Sequence, residues 1–341
     1  MRRFLVLTLF IASITAAAVL AAQQQPARGS APVPPPWAYG FYGPPGTTEP
    51  PEATEPTPPT GQLTLAGSTK SYQYNQINNG YGPADWFPEM HPPMPDVVAH
   101  GDRQRMVNAC GNCHLPNGKG RPTNASVSGL NEGYFVQTLM DFRNGLRNTS
   151  DARKVNTARM MAFAKALSDD EIRTIAHYFG SIAWSPWVRV VETDMVPKTH
   201  ITGGLYIANE GATAGMEPIG KRIIEVPEDR EKVDVYRDPR VGYIAYVPKG
   251  AVKKGEALAK AAQCTVCHGP NLEGVGPVPA IAGRSASYTM RQLFDMQQGN
   301  RKGMWSALMK PVVAKLSTED LMNLSAYTAS LSTKEQSRAA K

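Results

Sequence analysis

The sequence predicts a mainly α protein: two tandem helical modules, joined by a partly β, partly irregular insert and preceded by a Pro-rich linker. Three observations carry this. A five-residue pattern occurs twice, as Cys110-Gly111-Asn112-Cys113-His114 and as Cys264-Thr265-Val266-Cys267-His268. The residues around it repeat at a fixed offset of 154 for over forty positions. Val-, Ile- and Tyr-rich pieces of strand character are confined to the stretch between the two copies.

The chain opens on Met1-Arg2-Arg3, an apolar run from Phe4 to Leu20, and Ala21-Ala22-Gln23. A basic end, a hydrophobic stretch and small residues make 1–22 an export segment, either a cleaved signal peptide or an uncleaved N-terminal anchor. Its length is close to the roughly 20 residues that a membrane span needs. Either form places the remainder outside the cytoplasmic membrane, so the expected location is the periplasm, with membrane attachment if the segment stays. Residues 23–60 follow as a Pro-rich linker with few aliphatic residues to bury, expected to be extended and without a packed core. Residues 61–96 form an aromatic, Pro-rich arm. The run from Trp86 to Pro95 is too proline-dense for a helix.

The first module, 97–182, is expected to begin with a helix over 101–110 that delivers the first cysteine pair. The second, 249–334, opens in the same way before Cys264. Matched pairs include Pro116 with Pro270, Gly129 with Gly283, Tyr134 with Tyr288, Asp141 with Asp295 and Arg147 with Arg301. Five residues then drop out of the second copy, and register resumes at an offset of 149. There Ser168 and Ser317 are N-caps of a final helix in each module, with Glu171 at the capping-box position. The helices are expected to end near Tyr178 and Tyr327. Between the modules, 183–248 reads as short strands over 187–191, 223–226 and 241–247 that pack onto one or both modules. A tail, 335–341, closes the chain.

Cys-x-x-Cys-His is the attachment pattern of a covalent haem. Two thiols three positions apart bond the two vinyl groups of one porphyrin, and the adjacent imidazole reaches the iron. Cys110, Cys113, Cys264 and Cys267 are all four cysteines of the chain, so the two patterns leave no thiol over. A thioredoxin-like redox pair or half a zinc site also uses Cys-x-x-Cys. The histidine after each pair and the duplication favour two haem c groups, with His114 and His268 as axial ligands.

The repeat picks the sixth ligands. Met160 lies eight residues before Ser168 and Met309 eight before Ser317, whereas Met161, Met296 and Met304 have no counterpart in the other copy. His200 in the insert is the other group that would displace a methionine. His91, Met90, Met94, His100 and His177 read as packing or surface residues.

The formal charge is +7. Residues 97–182 carry 11 Lys and Arg against 7 Asp and Glu, 249–334 carry 11 against 5, and 183–248 carry 8 against 10. The basic residues are dispersed rather than clustered, which argues against nucleic acid. A basic surface that steers an acidic redox protein accounts for them better.

These residues resemble the class I c-type cytochromes, and among them the dihaem cytochrome c4 type with its tandem cytochrome c domains. Module two carries the pattern as Pro279-Ala280-Ile281-Ala282-Gly283, Tyr288, Gln292-Leu293, Gly299-Asn300-Arg301, Met309 and Leu316-Ser317. Module one carries it from Tyr134 through Gly145-Leu146-Arg147 and Met160, and departs where Ala125 replaces the proline aligned with Pro279. The resemblance implies that the Pro279 carbonyl orients His268, which leaves the partner of His114 open. Tyr134, Tyr288, Arg147, Arg301 and Pro279 are candidates for the haem pocket, the two arginines as screens for the haem propionates. The function it implies is outer-sphere electron transfer between a respiratory complex or dehydrogenase and a terminal oxidase or reductase, with no catalysis by the chain itself. The alternatives are a cytochrome subunit of a periplasmic dehydrogenase complex and a dihaem peroxidase. A peroxidase needs two unlike sites, and the sixth-ligand positions here are alike.

Overall fold

A computed structural model describes residues 32–48 and 58–331. Residues 1–22, expected as an export segment, and the expected tail 335–341 lie outside these residues. From Pro34 onward the chain forms one compact unit.

Before the first module come α1 (Pro36–Tyr39), a hairpin of β1 (Gln62–Thr64) and β2 (Ser71–Gln73), α2 (Tyr74–Ile77) and α3 (Asp96–Ala99). The module itself is α4 (Cys110–His114), α5 (Glu132–Arg143), α6 (Val155–Ala166) and α7 (Asp169–Ser181). Its core gathers Val98, Phe135, Leu139, Ile172, Ile175 and Phe179. The insert supplies β3 (Val188–Thr193), β4 (Met195–Pro197), β5 (Thr199–Thr202), β6 (Leu205–Ala208), β7 (Met216–Pro218), β8 (Ile224–Pro227) and β9 (Tyr243–Pro248). Module two is α8 (Ala251–Ala261), α9 (Cys264–His268), α10 (Ala286–Gln297), α11 (Ser306–Val313) and α12 (Thr318–Ser330).

The strands expected in the insert are present and form one sheet in the order β3-β9-β8. β9 runs parallel to β3 and antiparallel to β8. Alternation decides which way each residue faces. Ala245 and Val247 enter the core of module two beside Met290, Phe294 and Leu321. Ile244 and Tyr246 lie on the opposite face, against Val196, Ile219 and Val226. The insert thus completes the core of the second module. Glu225 of β8 reaches the start of α10, where its carboxylate accepts bonds from the Ala286 and Ser287 amides at 2.9 and 3.2 Å. An anion suits the positive end of a helix.

Two expectations are corrected. Residues 101–110 are not a helix. Gly101 sits at φ +64°, where a side chain would collide with the Val107 carbonyl, and Asp102 and Val107 close a tight loop. Pro92, Pro93 and Pro95 stand just ahead, so only the four-residue α3 fits before that turn. In module two α8 forms, but it stops at Ala261, and Gln263 with φ +53° separates it from α9. The second correction concerns the Pro-rich linker, which is not wholly extended. Trp37, Ala38, Tyr39 and Phe41 dock on module two as a strap, with Ala38 and Tyr39 fully buried. The aromatics that interrupt the prolines supply the apolar area needed to hold it.

The duplication survives in the hydrogen bonds. Arg143 at the end of α5 donates to the carbonyls of Ala164 and Leu167. Gln297, its match at an offset of 154, donates to those of Val313 and Leu316, their matches at an offset of 149. The five-residue deletion therefore falls in the loop between, and leaves the packing of the helices unchanged. Both final helices are capped by their serines, Ser168 accepting from the Glu171 amide and Ser317 from the Asp320 amide, each at 3.1 Å. Both capping boxes are complete, with Asp320 filling the second.

Candidate haem sites

Each cysteine pair and its histidine occupy a single short helix, α4 or α9, followed by a residue at positive φ: Leu115 at +64° and Gly269 at +85°. The chain then turns back, and the amide of Gly120 or Gly274 bonds the histidine carbonyl at 2.8 or 2.7 Å. This returning loop carries the group that fixes each imidazole. His114 Nδ1 donates to the Ala125 carbonyl at 2.9 Å, and His268 Nδ1 donates to the Pro279 carbonyl at 2.8 Å. Ala125 thus does for His114 what Pro279 does for His268, because the acceptor is a backbone oxygen that any residue supplies. With Nδ1 as donor, the Nε2 lone pair of each ring is left for a metal.

Burial pushes both imidazoles below their ordinary value. The carbonyl bonds oppose this, and Arg147 adds to it at His114. The neutral form so favoured is the one that ligates iron. Burial likewise pushes the Cys110 thiol up to about 12 and raises that of Cys264. A thioredoxin-like pair needs a lowered thiol, so that reading loses support. Among the described residues no group of three or more His, Cys, Asp or Glu is placed to hold a metal ion, which also disfavours a zinc site built from both pairs. Two thiols, an oriented neutral imidazole and an apolar surround in each module fit a covalently attached haem.

Met160 lies half-buried on α6, packed on the same core as Cys110 and Ala125. Met309 lies half-buried on α11 against the core of module two. Of the rivals, Met161 is also half-buried on α6, Met296 is in the core of module two and Met304 is 65% exposed. His200 bonds Asn209 on the β5–β6 hairpin, His91 bonds Asp85 and the Pro92 carbonyl, and His177 pairs with Glu132. Met94 packs on the module-one core beside Gly111.

Four of the five residues expected to line the haem pockets meet one another across the seam between the modules. Arg147 donates to the Tyr288 hydroxyl and Arg301 to the Tyr134 hydroxyl, both at 2.8 Å. Gln292 Oε1 accepts from both guanidiniums, at 2.9 and 3.0 Å. The backbones of Arg147 and Arg301 form an isolated antiparallel bridge. Burial would raise the Tyr134 hydroxyl, but Arg301 and Arg147 beside it bring it below its ordinary value.

Sequence reasoning did not find three further seam residues. Arg284 of module two, stacked on Trp184, donates to the carbonyls of Ser126 and Ser128. Arg291 donates to the carbonyls of Ala38 and Pro122, and so ties the strap and module one to α10. Tyr39 of the strap donates to the buried carboxylate of Asp295 at 2.8 Å. Arg284 and Arg291 face Leu130 and Gln137 in the other copy. A break in the repeat was the available signal.

A family model described as cytochrome c matches residues 98–183 and 252–332, which are the two helical modules without the insert. The chain is 32% identical over 156 residues to cytochrome c4 of Stutzerimonas stutzeri, covering 38% of this chain and 74% of that protein. It is 38% identical over 80 residues to cytochrome c-554(548) of Halomonas halodenitrificans, covering 22% of this chain and 96% of that protein. To a thiosulfate dehydrogenase electron acceptor of Stutzerimonas stutzeri it is 24% identical, covering 70% of this chain and 86% of that protein.

Proposed function

We propose, from the premise that this chain belongs to the cytochrome c family as a two-domain protein of the c4 type, that it is an exported electron shuttle with both irons held by one histidine and one methionine. One covalent haem c is carried by Cys110 and Cys113, the other by Cys264 and Cys267. A haem so bound supplies a one-electron couple whose potential follows its axial ligands. His114 and His268 supply the proximal nitrogens, each fixed by a backbone carbonyl. Met160 and Met309, at equivalent places on α6 and α11, supply the distal sulfurs. Two closed, alike sites leave no position for a substrate, so the chain passes electrons and performs no bond chemistry.

The observation that carries this reading is the matched histidine–carbonyl pair, which presents the same imidazole nitrogen in both modules. The donor we assign is a dehydrogenase or respiratory complex, and the acceptor a terminal oxidase or reductase. The likeness to a thiosulfate dehydrogenase electron acceptor supports a dehydrogenase as donor, free in solution or as the partner subunit in one complex. The apolar run after Arg3 supports delivery to the periplasm, with or without a retained anchor.

The ferric optical spectrum tests the ligation. A red sulfur-to-iron charge-transfer band with an intensity for two haems is the expected result. A high-spin fraction that reacts with peroxide would sink the carrier reading in favour of the peroxidase.

A further inference from the structure

The two cysteine motifs are copies of one another, yet they differ in what lies over them. In module one Gly111, Pro116 and Asn117 are buried, and Asn112 and Cys113 are half-buried. In module two their matches Thr265, Pro270, Asn271, Val266 and Cys267 are all exposed. Asn117 beside the first motif is 4% exposed, and Val266 within the second is 75% exposed.

The cover over module one comes from chain outside the repeat. Arg237 of the insert donates to the Asn112 carbonyl, inside the motif itself. Asn117 donates to the Pro239 carbonyl at 3.2 Å, and Arg121 to the Val233 carbonyl at 3.1 Å. The arm closes the other side, with the Ala109 amide on the Gly80 carbonyl at 2.8 Å and Met94 against Gly111. No such bond to the α9 motif is made from the insert or the arm among the described residues.

We infer that electrons enter and leave through the second module alone, at a docking face centred on Val266, and that the first haem exchanges electrons with partners only by way of the second. The inference rests on the carrier reading. Tunnelling falls steeply with distance, so a partner must approach a haem closely, and the insert and the arm stand over the motif that carries the first haem. The face itself is apolar at the centre, with Thr265, Val266, Pro270 and Val275 exposed. Lys260, exposed on α8, and Glu273, exposed in the loop after the motif, border it, in a module that carries 11 Lys and Arg against 5 Asp and Glu. An apolar contact on a module of net positive charge fits an acidic redox protein, drawn in by the charge of the module and seated by apolar contact.

The holoprotein with both haems gives the test, on gold coated with a carboxylate-terminated monolayer as the acidic surface. Val266→Glu places a negative charge at the centre of the face and Lys260→Glu places one at its flank. Both are surface changes, one on α8 and one on α9, and unchanged optical spectra verify that each variant is intact. Met106→Glu is the control, because Met106 occupies the position matching Lys260 and is 75% exposed. The expected result is an exchange rate lower by on the order of tenfold at low salt for Lys260→Glu and Val266→Glu, with both haems slowed together. Met106→Glu leaves the rate within about twofold. In hydrogen exchange, poly-L-glutamate protects the amides of 264–276 in the wild type and not those of 110–122. Equal slowing by all three variants, or protection of 110–122 instead, would overturn the docking inference while the carrier stands. A wild-type protein that does not cycle reversibly on the monolayer removes the carrier reading and this inference with it.

Discussion

Arg147 of the first module and Tyr288 of the second hold each other across the seam at 2.8 Å, and Arg301 and Tyr134 repeat the bond in the opposite sense at the same distance. The pairing is an exchange between duplicated positions, since 134 matches 288 and 147 matches 301. Each guanidinium is buried and has no carboxylate in these bonds, so Arg301 depends on the phenol and on Gln292, and Arg147 on these together with the Thr138 hydroxyl at 3.3 Å.

Removing either hydroxyl therefore leaves a buried cationic donor short of a partner. Tyr134→Phe and Tyr288→Phe are each expected to cost about 1–3 kcal/mol. The double variant is expected to cost other than the sum, because Gln292 serves both arginines. Denaturant unfolding of the holoproteins measures all three, and strict additivity would show the two bonds to be independent.

Met160→Ala and Met309→Ala are each expected to remove half of the sulfur-to-iron band and to lower one of two midpoint potentials, since loss of a thioether destabilises ferrous iron. Spectra and redox titration of the two single variants decide the assignment. An unchanged pair of potentials in Met309→Ala transfers the module-two role to another residue.

Pro279→Ala keeps the carbonyl that accepts from His268, and module one already runs on an alanine there. Both potentials and the spectrum are expected to stay unchanged, with a stability loss below about 1 kcal/mol from the freer unfolded chain. A shifted potential for the second haem would mean that the ring itself, and not its carbonyl, sets the imidazole.

The Arg105 guanidinium grips Glu171 with two bonds, of 2.6 and 2.9 Å, and with this bond as the main cause the carboxyl is brought down to about 2, against burial that opposes it. A carboxyl lowered on folding adds stability above its unfolded value, near 4.5, and loses it as the pH falls towards 2. Glu171→Gln, which keeps the shape of the capping box, is expected to cost about 0.5–1 kcal/mol at pH 7, as a partly exposed pair does. The gap to the wild type narrows below about pH 4.5 and closes towards pH 2. Unfolding midpoints across that range measure it, and a gap that persists at acid pH would assign the loss to the cap and not to the charge.

Much of this structure was readable because it was written twice. Arg143 and Gln297 look unrelated in sequence, yet they sit at the same offset and bond equivalent carbonyls, as the repeat register requires. Ser168 and Ser317 announced their helices by local chemistry alone. What could not be read depends on partners distant in sequence. The strap looked like a linker because its prolines dominate, and only the pocket formed by α10 and the insert sheet makes Tyr39 a core residue. The loop at 101–110 shows the opposite failure. Its residues read as a helix, but partners distant in sequence hold it otherwise, since the Ala109 amide and the Asn108 side chain both bond the Gly80 carbonyl of the arm.

The docked strap also bears on how the protein is made. Tyr39 and Asp295 touch across 256 residues, and Ile223, Ala245 and Val247 fill the same core from the insert. Contacts of such separation are slow to close, because a long stretch of chain must first find its place. The second module, synthesised after the first, thus finishes only when chain made far earlier returns to it. A fragment cut at residue 249 would present Met290, Phe294 and Leu321 to water and be prone to aggregate, so the sequence repeat and the unit of folding are not the same object.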